Sequence, residues 1–169
     1  ATAMLMYERV AIGSMGSGSI SQPMYDLLVR AAQASGRIDD PVVRDQLMEI
    51  YCMETTKSLV AMRTRAELKA GKTPGPGGSL GKLASSVISW RFREIAMEIA
   101  GAGSQAWESD DHAAMLQQTV ISSFQAGIAG GTDEIQRNII GDRVLGLPRD
   151  IAVDRGVPFK ELKVGTSGD

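Results

Sequence analysis

Through residues 84–99 an apolar side chain returns every three or four positions: Ala84, Ile88, Phe92, Ile95, Ile99. That spacing follows the 3.6-residue turn of an α-helix and gathers all of them on one face. Leu116, Val120, Phe124 and Ile128 repeat it at i, i+4. Alternating Val/Ile/Thr runs closed by hairpin turns, the mark of strands, are absent. Helices with one apolar stripe bury it against one another, so the expected fold is all-α. We read a four-helix up-and-down bundle plus a short C-terminal helix over residues 1–150, and an irregular tail over residues 151–169.

The punctuation fits this reading. The first helical segment runs from about Ala1 to Ser35, with a stretch poor in helix formers at Gly13-Ser14-Met15-Gly16-Ser17-Gly18-Ser19. Asp40 is placed to cap the second helix, with Pro41 in its first turn. Val43, Leu47, Tyr51, Leu59, Met62 and Ala66 form its apolar side, interrupted by Glu54 and Lys57. Gly71 to Gly78 is the strongest break, short enough to join two helices. The third helix is expected from about Ser79 to Ala100, and Ser109, Asp110 or Asp111 caps the fourth. Val87 and Trp90 beside Ile88 give the third helix apolar residues on two sides, which implies burial against more than one neighbour.

The last helix is the most legible. Gly130-Gly131 makes a turn and Thr132 offers a capping hydroxyl. Asp133 and Glu134 put negative charge at the positive end of the helix dipole. Ile135, Ile139 and Ile140 share a face, and Gly146 with Pro148 stops the helix. A glycine-flanked helix start is also where free backbone N–H groups meet a ligand.

Composition narrows the function. The 169 residues are 43 % hydrophobic and 22 % charged with a net charge of −2, which gives no bulk attraction to nucleic acid or to an anionic membrane. No apolar run is long enough to span a bilayer, and no leader pattern opens the chain. The single cysteine, Cys52, rules out an internal disulfide framework and fits a reducing, cytoplasmic setting. Its place between Tyr51 and Met53 reads as a small buried hydrophobe.

Metal chemistry finds no support. A ferritin-type di-iron site needs two Glu-x-x-His pairs, but the chain has one histidine, His112, with Ser109 three residues before it. Structural zinc fails on the same count, and no metal site is expected. Gly16-Ser17-Gly18 follows no strand and lacks the Gly-Lys-Ser/Thr ending of a phosphate loop. Among the carboxylates, Glu8 lies in the mostly apolar Leu5-Met6-Tyr7-Glu8-Arg9-Val10. Apolar surroundings raise a carboxyl pKa and suit it to proton abstraction. An exposed or Arg9-paired glutamate is the plainer alternative, and on these residues alone the stronger one.

The run Gly-Gly-Thr-Asp-Glu-Ile-Gln-Arg-Asn-Ile-Ile-Gly-Asp-Arg-Val-Leu-Gly-Leu-Pro (130–148) resembles the C-terminal signature of acyl-CoA dehydrogenases. Leu5-Met6-Tyr7-Glu8-Arg9 is similar to the Leu-x-x-Glu-Arg segment that opens their C-terminal domain. Ile99-Ala100-Gly101-Ala102-Gly103 is similar to their glycine-rich break between the last two long helices. The resemblance implies the C-terminal helical bundle of a larger protein that also has an N-terminal helical domain and a middle β domain. It implies FAD, and oxidation of an acyl-CoA thioester to the trans-2-enoyl-CoA. In the family a glutamate takes a proton from Cα and flavin N5 takes hydride from Cβ. It further implies electron-transferring flavoprotein as a partner, and a homotetramer or a mixed two-subunit assembly in which a neighbouring subunit touches the far end of FAD.

Carried over position by position, the resemblance implies a base at Glu8, since in many members a glutamate stands where this chain has Gly130. In isovaleryl- and long-chain-type members the base is the glutamate of Leu-x-x-Glu-Arg. Thr132 and Glu134 match positions that contact FAD, and Gly101 and Ala102 match a stretch close to its adenosine part. The family's Arg-x-x-Phe-Gly is replaced by Gly36-Arg37-Ile38-Asp39-Asp40-Pro41, where Arg37 is the remaining candidate for the FAD pyrophosphate. These departures also fit a non-catalytic subunit or oligomerisation domain. Acyl oxidation by the isolated 169-residue chain is not expected, because the β domain is missing.

Overall fold

A computed structural model describes residues 22–72, 75–105, 111–148 and 156–161, together with Met4. Among these residues the fold is all-helical, with no strand. The helices are α1 (Pro23–Ala34), α2 (Pro41–Lys69), α3 (Gly77–Ala100), α4 (Asp111–Ala126) and α5 (Asp133–Arg143). A 3₁₀ segment, Gly101–Gln105, follows α3, and another, Phe159–Glu161, lies in the tail expected to be irregular. Glu8, the Gly13–Ser19 stretch and the Ser109 and Asp110 caps lie outside the described residues.

The helix α3 is the hub, touching α1, α2, α4 and α5. Its stripe Ile88, Phe92, Ile95 and Ile99 is buried as the spacing requires. Leu27, Leu28 and Ala32 of α1 and Val43, Leu47 and Ile50 of α2 close on it, and Leu116 of α4 joins the same core. The helix begins at Gly77, two residues before the expected start. A Cβ on Gly77 would lie 3.4 Å from Thr64 Oγ1, an ordinary contact distance, so α2 runs beside the start of α3.

Local signals set the helix ends. Pro23 and Pro41 occupy first turns, where the missing N–H costs nothing. Asp40 caps α2 by accepting from the Val42 amide at 2.9 Å. Gly36, with φ of 71°, turns the chain out of α1.

Three readings from the periodicity are corrected. In α2 the buried stripe is Val43, Leu47, Ile50 and Glu54, while Tyr51, Leu59, Met62 and Ala66 are exposed. Among the described residues α1 packs on the first half of α2, and the buried stripe ends with it. Cys52 is exposed rather than a buried hydrophobe. Of the α4 row, Leu116 is buried but Phe124 is exposed, and Ile128 falls beyond the helix, exposed in the turn that follows. Phe124 instead meets Trp90 of α3 edge-on at 6.0 Å, and the Arg93 guanidinium lies 4.4 Å from each ring centroid. These cation–π contacts make a clamp between α3 and α4 in place of the inward apolar stripe that the spacing predicts.

Candidate functional site

The turn that enters α5 is built from inside the protein. Gly130 and Gly131 both have positive φ, 70° and 95°, which L side chains rarely adopt. A Cβ on Gly131 would sit 2.8 Å from Gln136 Nε2. That amide nitrogen donates to the carbonyls of Gly130 and Gly131 at 2.9 and 3.3 Å. Gln136 is the buried residue of α5, while Ile135 is exposed, so the expected isoleucine face is displaced by one position.

Asp133 fastens the turn to the hub. Its two oxygens accept from Lys82 Nζ at 3.0 Å and Ser86 Oγ at 2.7 Å, both on α3. Only 2 % of the Lys82 side chain and 15 % of that of Asp133 are exposed. A buried ammonium is tolerated only when paired, so this bond fixes where α5 begins. The Asp133 amide also donates to Gly127 O at 3.3 Å.

With Asp133 turned inward, Thr132 and Glu134 stand exposed on either side of it. Thr132 caps the helix with a long contact, its Oγ1 accepting from the Ile135 amide at 3.5 Å. The Glu134 carboxyl is held below its ordinary pKa by its own backbone N–H, then by the Thr132 hydroxyl, and also by Arg137. The positive end of α5 is therefore already answered by two carboxylates. It suits hydroxyl or N–H donors of a ligand better than a phosphate.

Arg37, Gly101 and Ala102 meet at the other end of the hub. Arg37 Nη1 donates to the Glu98 carbonyl at 2.7 Å, and Nη2 pairs with Asp40 at 3.0 Å. This brings the α1–α2 turn to the C-terminal end of α3, where Gly101, with φ of 56°, ends the helix. Gly101 and Ala102 are exposed there. Lys82 and Glu98 are separated by 16 positions of α3, which at 1.5 Å per residue is about 24 Å. The structure thus groups Thr132 with Glu134 and Arg37 with Gly101 and Ala102, and it keeps the two groups apart.

Sequence reasoning missed Lys82, Asp133 and Gln136 as the frame of the turn. Their signal is long-range, since Lys82 and Asp133 are 51 positions apart. Among the described residues no cluster of His, Cys, Asp and Glu could hold a metal ion. No helix among them is long and apolar enough to cross a membrane.

Comparison with protein families matches residues 1–145 to the acyl-CoA dehydrogenase C-terminal domain. Acyl-CoA dehydrogenase IpdE1 of Mycolicibacterium smegmatis is 33 % identical over 153 residues, 85 % of this chain and 37 % of that protein. Acyl-CoA dehydrogenase IpdE1 of Mycobacterium tuberculosis is 31 % identical over 154 residues, 89 % of this chain and 38 % of that protein. The chain spans little more than a third of the length of these relatives. No solved structure matches it. A family match over most of the chain and two relatives above 30 % identity show that it belongs to the acyl-CoA dehydrogenase C-terminal domain family.

Proposed function

We propose that this chain is the C-terminal helical bundle of an FAD-dependent acyl-CoA dehydrogenase, inactive by itself and completed by further domains. The observation that carries the reading is the α5 turn. Its buried half is anchored to α3 through Asp133, and its exposed half, Thr132 and Glu134, is left to contact a ligand. The donor sets suit the two ends of FAD. Thr132 and the ionised Glu134 supply acceptors for hydroxyl and N–H groups. Arg37 supplies a fork of N–H donors suited to a pyrophosphate, beside the open backbone of Gly101 and Ala102. The separation of the two groups supports contacts to FAD from two copies of the bundle, in a homotetramer or a mixed two-subunit assembly.

Bound FAD would supply the two-electron acceptor for hydride leaving Cβ of the acyl-CoA. The chain's own contribution is proton removal at Cα by the Glu8 carboxylate, because Gly130 has no side chain to do it. In the full-length protein, Glu8→Gln is expected to lower turnover by about 10²–10⁴-fold while the circular dichroism spectrum is unchanged. Near-normal turnover in that variant would place the base elsewhere.

Two observations favour a second reading, a non-catalytic subunit. Gly130 is at a φ that a glutamate would adopt only with strain, and Arg37 is already bonded within the bundle. Flavin absorbance of the full-length protein, purified with and without a partner subunit, separates the two. Flavin that appears only with the partner supports the second reading.

A further inference from the structure

Arg93 is half-buried against Trp90 of α3 and Phe124 of α4, its guanidinium 4.4 Å from each ring centroid. Two ring contacts fix the direction of a side chain that is otherwise flexible. Its Nη1 is shut off from water and meets no acceptor, and no carboxylate among the described residues pairs with the cation. The acids next along α3 are engaged elsewhere, Glu94 with Arg91 at 3.1 Å and Glu98 with Gln46 at 2.7 Å. A charge withdrawn from water without a partner is unfavourable. Around it Trp90, Met97, Ile121 and Phe124 are exposed and apolar. An arginine set among aromatic side chains is the composition found at the centre of protein–protein contacts.

The complement lies on α2. Asp45 is exposed, pairs with no cation among the described residues, and stands between Val42 and Met48, which are 56 % and 49 % exposed. Bonds from Arg91 to Glu49 and from Gln46 to Glu98 set this length of α2 beside the α3 segment that carries Arg93. The helix α3 touches both α2 and α4, so Arg93, turned toward α4, and Asp45 lie on its two sides. We infer that a second copy of this chain docks here about a two-fold axis, with Arg93 of each copy bonded to the partner's Asp45. A two-fold contact is reciprocal, so one encounter makes both ion pairs. It also brings Val42 and Met48 of one copy onto Trp90, Ile121 and Phe124 of the other. An arrangement with Arg93 facing Arg93 would instead oppose two cations. The pairing belongs to the bundle itself and stands whether or not the complete protein binds flavin.

The test is sedimentation equilibrium of the 169-residue chain and of two charge-reversed variants, Arg93→Glu and Asp45→Arg, with helicity followed by circular dichroism. The natural chain is expected to dimerise. Each reversal sets like charges against each other at both pairs and is expected to weaken self-association by about a hundredfold, roughly tenfold per pair. In an equimolar mixture each variant finds the opposite charge in the other at both pairs, and dimers of near-natural affinity are expected to return. Asp45→Arg alters an exposed position and carries the test by itself where Arg93→Glu is unfolded. A natural chain that stays monomeric, an Asp45→Arg variant that associates as the natural chain does, or a mixture of folded variants no tighter than its components would each overturn the pairing.

Discussion

Lys82 sits where binary patterning would place a leucine, and one carboxylate makes that position tenable. With 2 % of its side chain exposed, its ammonium depends on Asp133, and Ser86 holds the second carboxylate oxygen. Removing one partner of a buried pair leaves the other charge without compensation, which typically costs about 3–5 kcal/mol. Asp133→Ala is therefore expected to lower stability by roughly that amount, measured by urea denaturation. Lys82→Met with Asp133→Leu is expected to recover most of the loss, because two apolar groups leave no buried charge behind. Both residues are plain in the sequence, yet neither stood out. Asp133 reads as a dipole-compensating surface acid, and Lys82 as the polar side of an amphipathic helix. Only the packing of α5 on α3 turns them toward each other.

Between elements, the most instructive contact is the cap that α2 lends to α1. The residue before α1, Gln22, makes no side-chain cap bond, and its amide reaches Thr55 Oγ1 at 3.0 Å instead. The orphan N–H groups of Met24 and Tyr25 go to Glu54, in the middle of α2. In the sequence Glu54 looks like an interruption of an apolar stripe, because its partners lie about 30 positions away. The caps legible in advance, Asp40 on α2 and Thr132 on α5, are those made within three residues. Burial raises the Glu54 carboxyl above its ordinary 4.5, and the two amide bonds only partly offset this. A raised acid pKa means that the folded state prefers the proton. That contribution is complete below pH 4.5 and is lost as pH rises through the higher folded value. The stability of the natural chain minus that of Glu54→Gln is thus expected to fall between pH 4.5 and pH 7, read from urea midpoints at both pH values. A difference that holds constant or grows over that interval would contradict the assignment.

At the scale of the whole molecule, the bundle turns much apolar surface outward. Ile121, Phe124, Ile128 and Ile135 are more than 45 % exposed on the α4–α5 side, and Leu59, Met62 and Leu80 lie open on the other. Surfaces of this kind are typically covered by another chain or domain. The spacing of Val87, Ile88 and Trp90 made this legible for α3, where Ile88 is core while Val87 and Trp90 are exposed. It hid the same duality in α4, where one row was read as wholly inward. Ile121→Lys combined with Ile128→Lys is expected to reduce self-association in sedimentation without loss of helicity. Unchanged sedimentation would move the contact to another face.

The glycine- and serine-rich start of α3 has a consequence for the order of events in folding. Gly78, Ser79, Gly81, Ser86 and Ser89 are buried there, but each glycine costs about 1 kcal/mol of helix propensity relative to alanine. The other half carries Ile88, Phe92, Ile95 and Ile99, which reward early collapse on α1 and α2. The central helix is therefore expected to form in two instalments, its C-terminal half in the transition state and its N-terminal half after it. Phe92→Leu should slow refolding, whereas Ser86→Ala should mainly speed unfolding, as a chevron plot of each would record. The segment that receives α5 and its Asp133 anchor is then the last part of the hub to set, and the first to open.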